Sequence, residues 1–296
     1  MADPHPQIQP ILDVLEEAPG LHEADPETAR EQYEALRDPS QDIPVESITD
    51  QTIPGPDGEI PIRIYEEVAE PDATIVYFHG GGFVIGSIQT HDGICRRLAV
   101  DSNNRVISVE YRLAPEHPFP AMHEDCFAAT EWAASSYDGQ LLVAGDSAGG
   151  NLAAAVAIMA TDVGSPAIDR QILIYPTVAS PFHDFESYPE PGEGYLLTPE
   201  TMEWFESHLT DSPFHARNAY RSPLLLDELG GLPPATIITA ELDPLHDEGE
   251  EYANRLAAAG VDVVYEDFDQ MVHGFIGFLG QVDAADDALS TIVNSL

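Results

Sequence analysis

Apolar residues fall into short runs separated by polar, Gly- and Pro-containing stretches, and from Glu46 onward these runs alternate between two kinds. The first kind is four to eight residues long and rich in β-branched and aromatic side chains, the pattern of strands. These runs are Ser47 to Ile53, Ile60 to Tyr65, Thr74 to Phe78, Val106 to Val109, Leu141 to Ala144, Gln171 to Ile174, Thr236 to Thr239 and Val261 to Phe268. The second kind is longer and helical in character: Ile88 to Val100, Ala121 to Ala134, Gly149 to Thr161, Asp247 to Ala259 and Val282 to Ser295. The first two strands flank Pro54-Gly55-Pro56-Asp57-Gly58, a hairpin turn that pairs them antiparallel. Beyond them, the strand-helix alternation predicts an α/β fold with an eight-stranded, mostly parallel sheet and helices on both faces. Reactive groups in such sheets collect outside the carboxyl ends of the strands.

Two stretches stand outside this alternation. The N-terminal segment places helix-like Ile11 to Glu17 and Pro26 to Arg37 between prolines, with Asp25 as the N-cap of the second. A long insertion, Pro181 to about Pro223, contains Pro189-Glu190-Pro191-Gly192-Glu193-Gly194 and an apolar-aromatic helix candidate, Pro199 to Leu209. Insertions of this length need a surface to pack on, and a lid over the site supplies one. Neither a repeat nor a linker divides residues 1–296, so the expectation is a single domain.

Charge adds a condition. Asp and Glu number 53 against 11 basic residues, a net charge of -42, and every basic residue is Arg. A GC-rich genome accounts for the missing lysine, but not for so few basic residues altogether. Self-repulsion on this scale opposes compactness in dilute buffer, and molar salt shortens the screening length to about 3 Å. A salt-adapted protein is therefore expected, with neither nucleic acid nor an anionic membrane as partner. The opening Met1-Ala2-Asp3-Pro4-His5-Pro6 has no basic stretch leading into an apolar run, and no apolar run approaches membrane-spanning length, so a soluble cytoplasmic protein without stable membrane association is expected. Cys95 and Cys126 have neither disulfide-framework nor metal-site spacing and are expected to be reduced packing residues.

The chemistry centres on Gly145-Asp146-Ser147-Ala148-Gly149-Gly150, which follows the apolar run Leu141 to Ala144. Glycines two residues to either side let a serine occupy a sharp strand-to-helix turn with its hydroxyl exposed. His79-Gly80-Gly81-Gly82, after another apolar run, offers bare backbone N–H groups to a developing alkoxide, and the N–H of Ala148 can join them. Serine needs a general base oriented by a carboxylate. In α/β-hydrolases, whose nucleophile sits on a similar turn, the acid and then the His follow Ser in chain order, each after a strand. His246 and His273 come late enough; His273 closely follows the last strand, whereas His246 lies within the segment that supplies the acid, so His273 is the expected base. The acid candidates are Glu241, Asp243, Asp247 and Glu248. Asp243 is favoured because Pro244 fixes its turn, while Asp247 suits the start of the next helix. His79 is read as a loop anchor and Asp146 as structural or electrostatic. The remaining histidines show no ligand spacing, so no metal or cofactor is expected.

These motifs resemble the hormone-sensitive-lipase-like family of α/β-hydrolase carboxylesterases. The resemblance rests on His79-Gly80-Gly81-Gly82-Phe83, Tyr111 to Ala121 (YRLAPEHPFPA), Gly145 to Gly150 with Asn151-Leu152-Ala153, Asp243-Pro244-Leu245 and His273-Gly274-Phe275, in order over roughly residues 70 to 280. It implies an α/β-hydrolase fold, a Ser147-Asp243-His273 triad, and an oxyanion hole formed by Gly81, Gly82 and Ala148. It also implies a cap built from residues 1–45 and 181–220, a small-molecule ester substrate with short to medium acyl groups, and a possible homodimer. His246 departs from the pattern, since relatives often carry Arg there. A lipase or amidase on the same scaffold, or a ligand receptor derived from an esterase, are the alternatives. Phe83, Tyr195, Trp204, Phe205 and Phe214 are candidates for the pocket wall, with ordinary core packing the equal alternative for each.

Overall fold

Eight strands form one sheet in the order β1-β2-β4-β3-β5-β6-β7-β8 in a computed structural model describing residues 3–15, 20–36, 43–179, 181, 183–188, 194–210, 212 and 214–296. The strands are β1 (Ser47–Gly55), β2 (Gly58–Glu66), β3 (Ala73–Phe78), β4 (Arg105–Val109), β5 (Gln140–Asp146), β6 (Arg170–Ile174), β7 (Ala235–Ala240) and β8 (Val263–Phe268). The expected hairpin closes with Gly55 opposite Gly58, and β2 also runs antiparallel to β4. All remaining pairings are parallel.

Alternation along each strand divides the core in two. Val76, Phe78, Val143, Leu173 and Ile237 face one side, where they meet α4 (Ala121–Ser136), α5 (Ala148–Val163) and α7 (His246–Ala258). Ile75, Tyr77, Leu142, Ile172 and Ile238 face the other, against α3 (Asp92–Ser102) and α8 (Asp283–Asn294). Burial on both faces, at every position of β3, β4 and β7, explains why these strands lack the apolar-polar alternation of a half-exposed strand. Cys95 and Cys126 are free and buried, one in each half of the core.

Accessory helices α1 (Gln9–Leu15), α2 (Pro26–Ala35) and α6 (Pro199–Leu209) contribute to one cavity beyond the carboxyl ends of the parallel strands. Asp25 caps α2 by accepting from Thr28 N at 3.1 Å, with Pro26 at the first helical position. Thr198 does the same for α6. Glu16, Glu17, Arg37 and Pro189 to Glu193 lie outside the described residues.

Several boundaries differ from the sequence expectation for local reasons. Helix α3 starts at Asp92 rather than Ile88, because Ser87 and Thr90 close a side-chain turn and Ile88 N donates to the Glu110 carboxylate at 2.8 Å. Strand β8 starts at Val263 rather than Val261, whose amide bonds back to Leu256 O at the end of α7. Among the described residues no helix is long and apolar enough to cross a membrane.

Candidate active site

Ser147 occupies the turn between β5 and α5 with φ 56° and ψ -118°, a conformation that costs a side-chain-bearing residue about 1–3 kcal/mol. The surrounding structure holds it there. Its N–H donates to Ile174 O at 2.8 Å, and its carbonyl accepts from Asn151 N at 3.1 Å. The flanking glycines permit the close approach: a Cβ on Gly149 would lie 1.9 Å from Phe78 O, and one on Gly145 would lie 2.3 Å from the Gly149 carbonyl carbon. Asn151, one turn into α5, fixes the surroundings by donating to Thr177 O at 2.7 Å and Arg221 O at 3.0 Å.

His273 lies between the serine and an acid. Its Nε2 is 2.9 Å from Ser147 Oγ, and its Nδ1 is 2.7 Å from Asp243 Oδ2. With Nδ1 donating to the carboxylate, Nε2 presents a lone pair to the serine hydroxyl. Asp243 is buried, and its second oxygen accepts from Leu245 N at 2.8 Å, closing the turn that contains Pro244. The competing groups are engaged elsewhere. Glu241 accepts from Gln270 N, and Asp247 from Ser187 N. His246 is placed between Asp247 and Asp267.

Glu248, the remaining acid candidate, is also engaged elsewhere. It is buried beneath the cavity wall, accepting from Val178 N at 2.6 Å, Ala179 N at 3.1 Å and the Tyr188 hydroxyl at 2.5 Å. Burial pushes its carboxyl above the usual range, and these donors offset only part of that. Ser187 Oγ donates to Pro244 O at 2.6 Å, so the insertion is fastened directly to the turn carrying Asp243. No spacing rule connects an insertion to a distant turn, and nothing in the sequence marks these ties.

Across from His273 lies the glycine loop. Gly81 (φ 117°) and Gly82 (φ 58°) adopt conformations that favour glycine. Among the described residues, the backbone N–H groups of Gly81, Gly82 and Ala148 have no hydrogen-bond acceptor. Gly80 N, by contrast, donates to Asp146 Oδ1 at 3.0 Å, linking the loop to the residue preceding the serine. Asp146 also accepts from Tyr77 OH at 2.8 Å and faces His91 Nε2 at 3.2 Å. Burial alone would raise its pKa, but His91 and Tyr77 outweigh that effect and hold the carboxyl below the usual range. Its expected structural and electrostatic role thus has specific partners, of which Tyr77 and His91 carry no motif.

His79 sits where a loop anchor should. Tyr111 OH donates to its carbonyl at 2.7 Å, and the two rings stack with centroids 4.2 Å apart. Burial, reinforced by nearby His91, lowers the His79 pKa to about 3, so its ring is neutral around pH 7.

A cavity of about 1400 Å³ opens over Ser147 and His273. Phe83, Tyr195 and Phe205 line it; Trp204 packs against Phe205 and His208 instead, and Phe214 is 79% exposed. The Phe205 ring, from α6, lies directly on Gly82, where a Cβ would come within 2.2 Å of it. Among the described residues, no three His, Cys, Asp or Glu side chains are grouped to hold a metal.

Residues 75–277 match the family described as having the alpha/beta hydrolase fold. The chain belongs to that family. Its motifs place this hydrolase with the hormone-sensitive-lipase-like carboxylesterases, and the relatives agree. It is 40% identical to "Esterase LipI" of Mycobacterium tuberculosis, over 97% of this chain and 93% of that protein. It is 39% identical to "Carboxylesterase NlhH" of the same species, over 96% and 93%. A solved hyperthermophilic esterase from Pyrobaculum calidifontis superposes with a TM-score of 0.93 at 41% identity, covering 99% and 98% of the two chains.

Proposed function

We propose that this hydrolase is a serine carboxylesterase that cleaves short- to medium-chain esters of small molecules through an acyl-enzyme. The observation that carries the proposal is the single imidazole spanning Ser147 Oγ at 2.9 Å and Asp243 Oδ2 at 2.7 Å. His273 removes the serine proton as Oγ attacks the ester carbonyl and returns it to the departing alcohol. Asp243 keeps the ring in its working tautomer and stabilises the imidazolium. The free N–H groups of Gly81, Gly82 and Ala148 receive the alkoxide, each contributing about 3 kcal/mol at the transition state. Water, deprotonated by the same imidazole, then releases the acid. These steps require no cofactor.

Residues 1–45 and 181–220 form the cap of a single catalytic domain, in support of which helices from both segments line the cavity over Ser147. Hydrolysis of p-nitrophenyl esters from acetate to palmitate, by wild type and Ser147→Ala, tests the reading. Turnover falling at least 10⁴-fold in the variant, with the wild type fastest below about ten acyl carbons, is expected. Undiminished turnover in the variant removes Ser147 from the role. A preference for the longest chains indicates a lipase, faster cleavage of matched anilides an amidase, and no turnover in either protein a receptor.

The same reading includes salt adaptation and a cytoplasmic location, the latter supported by two unpaired, buried cysteines. Three of the 11 arginines are committed to buried carboxylates, Arg63 and Arg96 both on Asp92 and Arg112 on Asp125. The net charge of -42 already counts every arginine, so that many carboxylates have no cationic side chain to offset them. Melting temperature should rise by about 10 °C or more between 0.1 and 2 M KCl as repulsion is screened. Equal stability at both concentrations sinks the idea. A homodimer, if it forms, should be favoured by the same salt, as read by light scattering.

A further inference from the structure

The cavity wall contains a positive charge that ester cleavage, as derived above, does not use. Arg221 is 6% exposed and lines the cavity shared by Ser147 and His273. One of its terminal nitrogens, Nη2, donates to the Glu206 carboxylate. The other two guanidinium nitrogens, Nε and Nη1, are shut off from water and have no partner among the described residues. The face of the Phe83 ring lies 5.6 Å from the guanidinium carbon, a cation-π contact that offsets part of the deficit without supplying an acceptor. Arginine is scarce in this chain, and Arg63, Arg96, Arg105 and Arg112 each bind carboxylates through more than one nitrogen or more than one partner, or add a further polar acceptor. A buried guanidinium with donors to spare at a ligand cavity calls for an acceptor that the described residues do not provide.

We infer that Arg221 is a substrate-recognition residue for esters carrying a carboxylate on one arm, such as monoesters of dicarboxylic acids. The inference rests on the esterase reading and narrows its substrate class. A planar fork of N–H donors suits a carboxylate, which can bind it in a two-pronged manner. Glu206 is the partner that yields: its side chain is 30% exposed against 7% for Arg221, so it can turn to solvent while the substrate takes its place. The neutral carbonyl arm then rests over Ser147, and the charge on the second arm fixes its register.

The test compares monomethyl glutarate and adipate, and 4-(butyryloxy)butanoate with its charge on the alcohol arm, against neutral esters of equal length. Acid release is followed by pH-stat in 2 M KCl, where the general field of the acidic surface is screened. The readout is the ratio of kcat/KM for charged over neutral ester, because a merely structural loss lowers both alike. Arg221→Leu should lower that ratio at least tenfold for one arm, and Glu206→Gln, which frees the guanidinium, should raise it severalfold. Ratios within twofold of wild type in both variants overturn the inference. If circular dichroism shows Arg221→Leu to be unfolded, Glu206→Gln decides alone, an unchanged ratio again overturning it. Failure of wild type to cleave even the neutral esters instead brings down the esterase reading.

Discussion

The two sides of the cavity are built differently. Its floor, at the carboxyl edge of β3, β5, β7 and β8, is made of buried polar groups joined to specific partners. Ser147 is held by the backbone of β6, Asp243 by its own turn, and Gly80 by Asp146. The roof, formed by α1, α2, α6 and residues 183–188, consists chiefly of apolar side chains, with a few polar ties at its margins. Arg30 fastens α2 to Val84 O, Ala114 O and Glu116, and Phe119 N donates to Leu209 O at the end of α6. Directional bonds fix atoms to tenths of an ångström, as proton transfer requires, whereas apolar contact fixes shape and tolerates repacking. The floor is therefore expected to set kcat, and the roof to set which ester fits.

Asp243→Asn strikes the floor hardest. It preserves shape but favours the wrong His273 tautomer, so kcat should fall about 10⁴-fold with the far-UV spectrum unchanged. A loss below tenfold would transfer the acid's role to another carboxylate, such as buried Glu248 on the same segment.

Asp146 tests whether the oxyanion loop belongs to the floor. Asp146→Ala removes the carboxylate that accepts from Gly80 N and Tyr77 OH, leaving Gly80 N only the longer bond to His91 Nε2 at 3.2 Å and the following Gly81 and Gly82 amides less firmly aimed. Its kcat should drop about 10²-fold with KM within a fewfold of wild type. Asp146→Asn retains an acceptor and should recover part of the loss. Equal defects in both variants would mean that charge facing His91, rather than the bond to Gly80, is what matters.

The same division explains what the sequence reveals. Gly145 and Gly149 are legible because no other residue fits where their Cβ positions nearly touch backbone. Asp243 is legible because the proline after it and a carboxylate accepting from Leu245 N belong to one local turn. Buried parallel strands announce themselves by runs rich in β-branched residues, and all eight strands, the two antiparallel ones included, lie within two residues of their expected starts and ends. The roof offers no such constraint. Trp204 and Phe205 are adjacent in one aromatic helix, yet only Phe205 reaches the cavity, because the rotation of α6 is set by contacts across the molecule. Phe214, equally aromatic, points to solvent. Tyr77 and His91 are invisible for a related reason: their shared partner, Asp146, lies 69 and 55 residues away, respectively, and no local rule joins them.

Phe205→Ala probes the roof where it comes nearest the floor. Removing the ring over Gly82 enlarges the cavity, so the preferred acyl chain should lengthen and KM for the shortest esters should rise, while kcat changes less than tenfold. A kcat loss as deep as that of Asp146→Ala would erase the distinction and make the roof part of the oxyanion loop.

The smallest effect concerns how the floor withstands pH, with His246 and the two buried histidines acting in opposite directions. His246 has Nδ1 2.8 Å from Asp247 Oδ1 and Nε2 3.4 Å from Asp267 Oδ2. The bond to Asp267 outweighs burial, and with help from Asp247 it pushes the His246 pKa up to about 9. A folded pKa above the unfolded value of about 6.5 means that this stabilisation is complete below that value and is lost as pH rises through 9. His79 and His123, both lowered to about 3 chiefly by burial, contribute the opposite slope: the fold keeps them neutral, so stability is lost as pH falls from about 6.5 toward 3. His246→Gln should flatten the alkaline limb and leave the acid limb unchanged. Because His246 is only half-buried, solvent screening reduces the effect to about 1 kcal/mol, or roughly 2–4 °C in the melting temperature. An alkaline slope unchanged in the variant would show that the charge at the head of α7 does not steady the turn carrying Asp243, and the polar precision of the floor would then end at Asp243 itself.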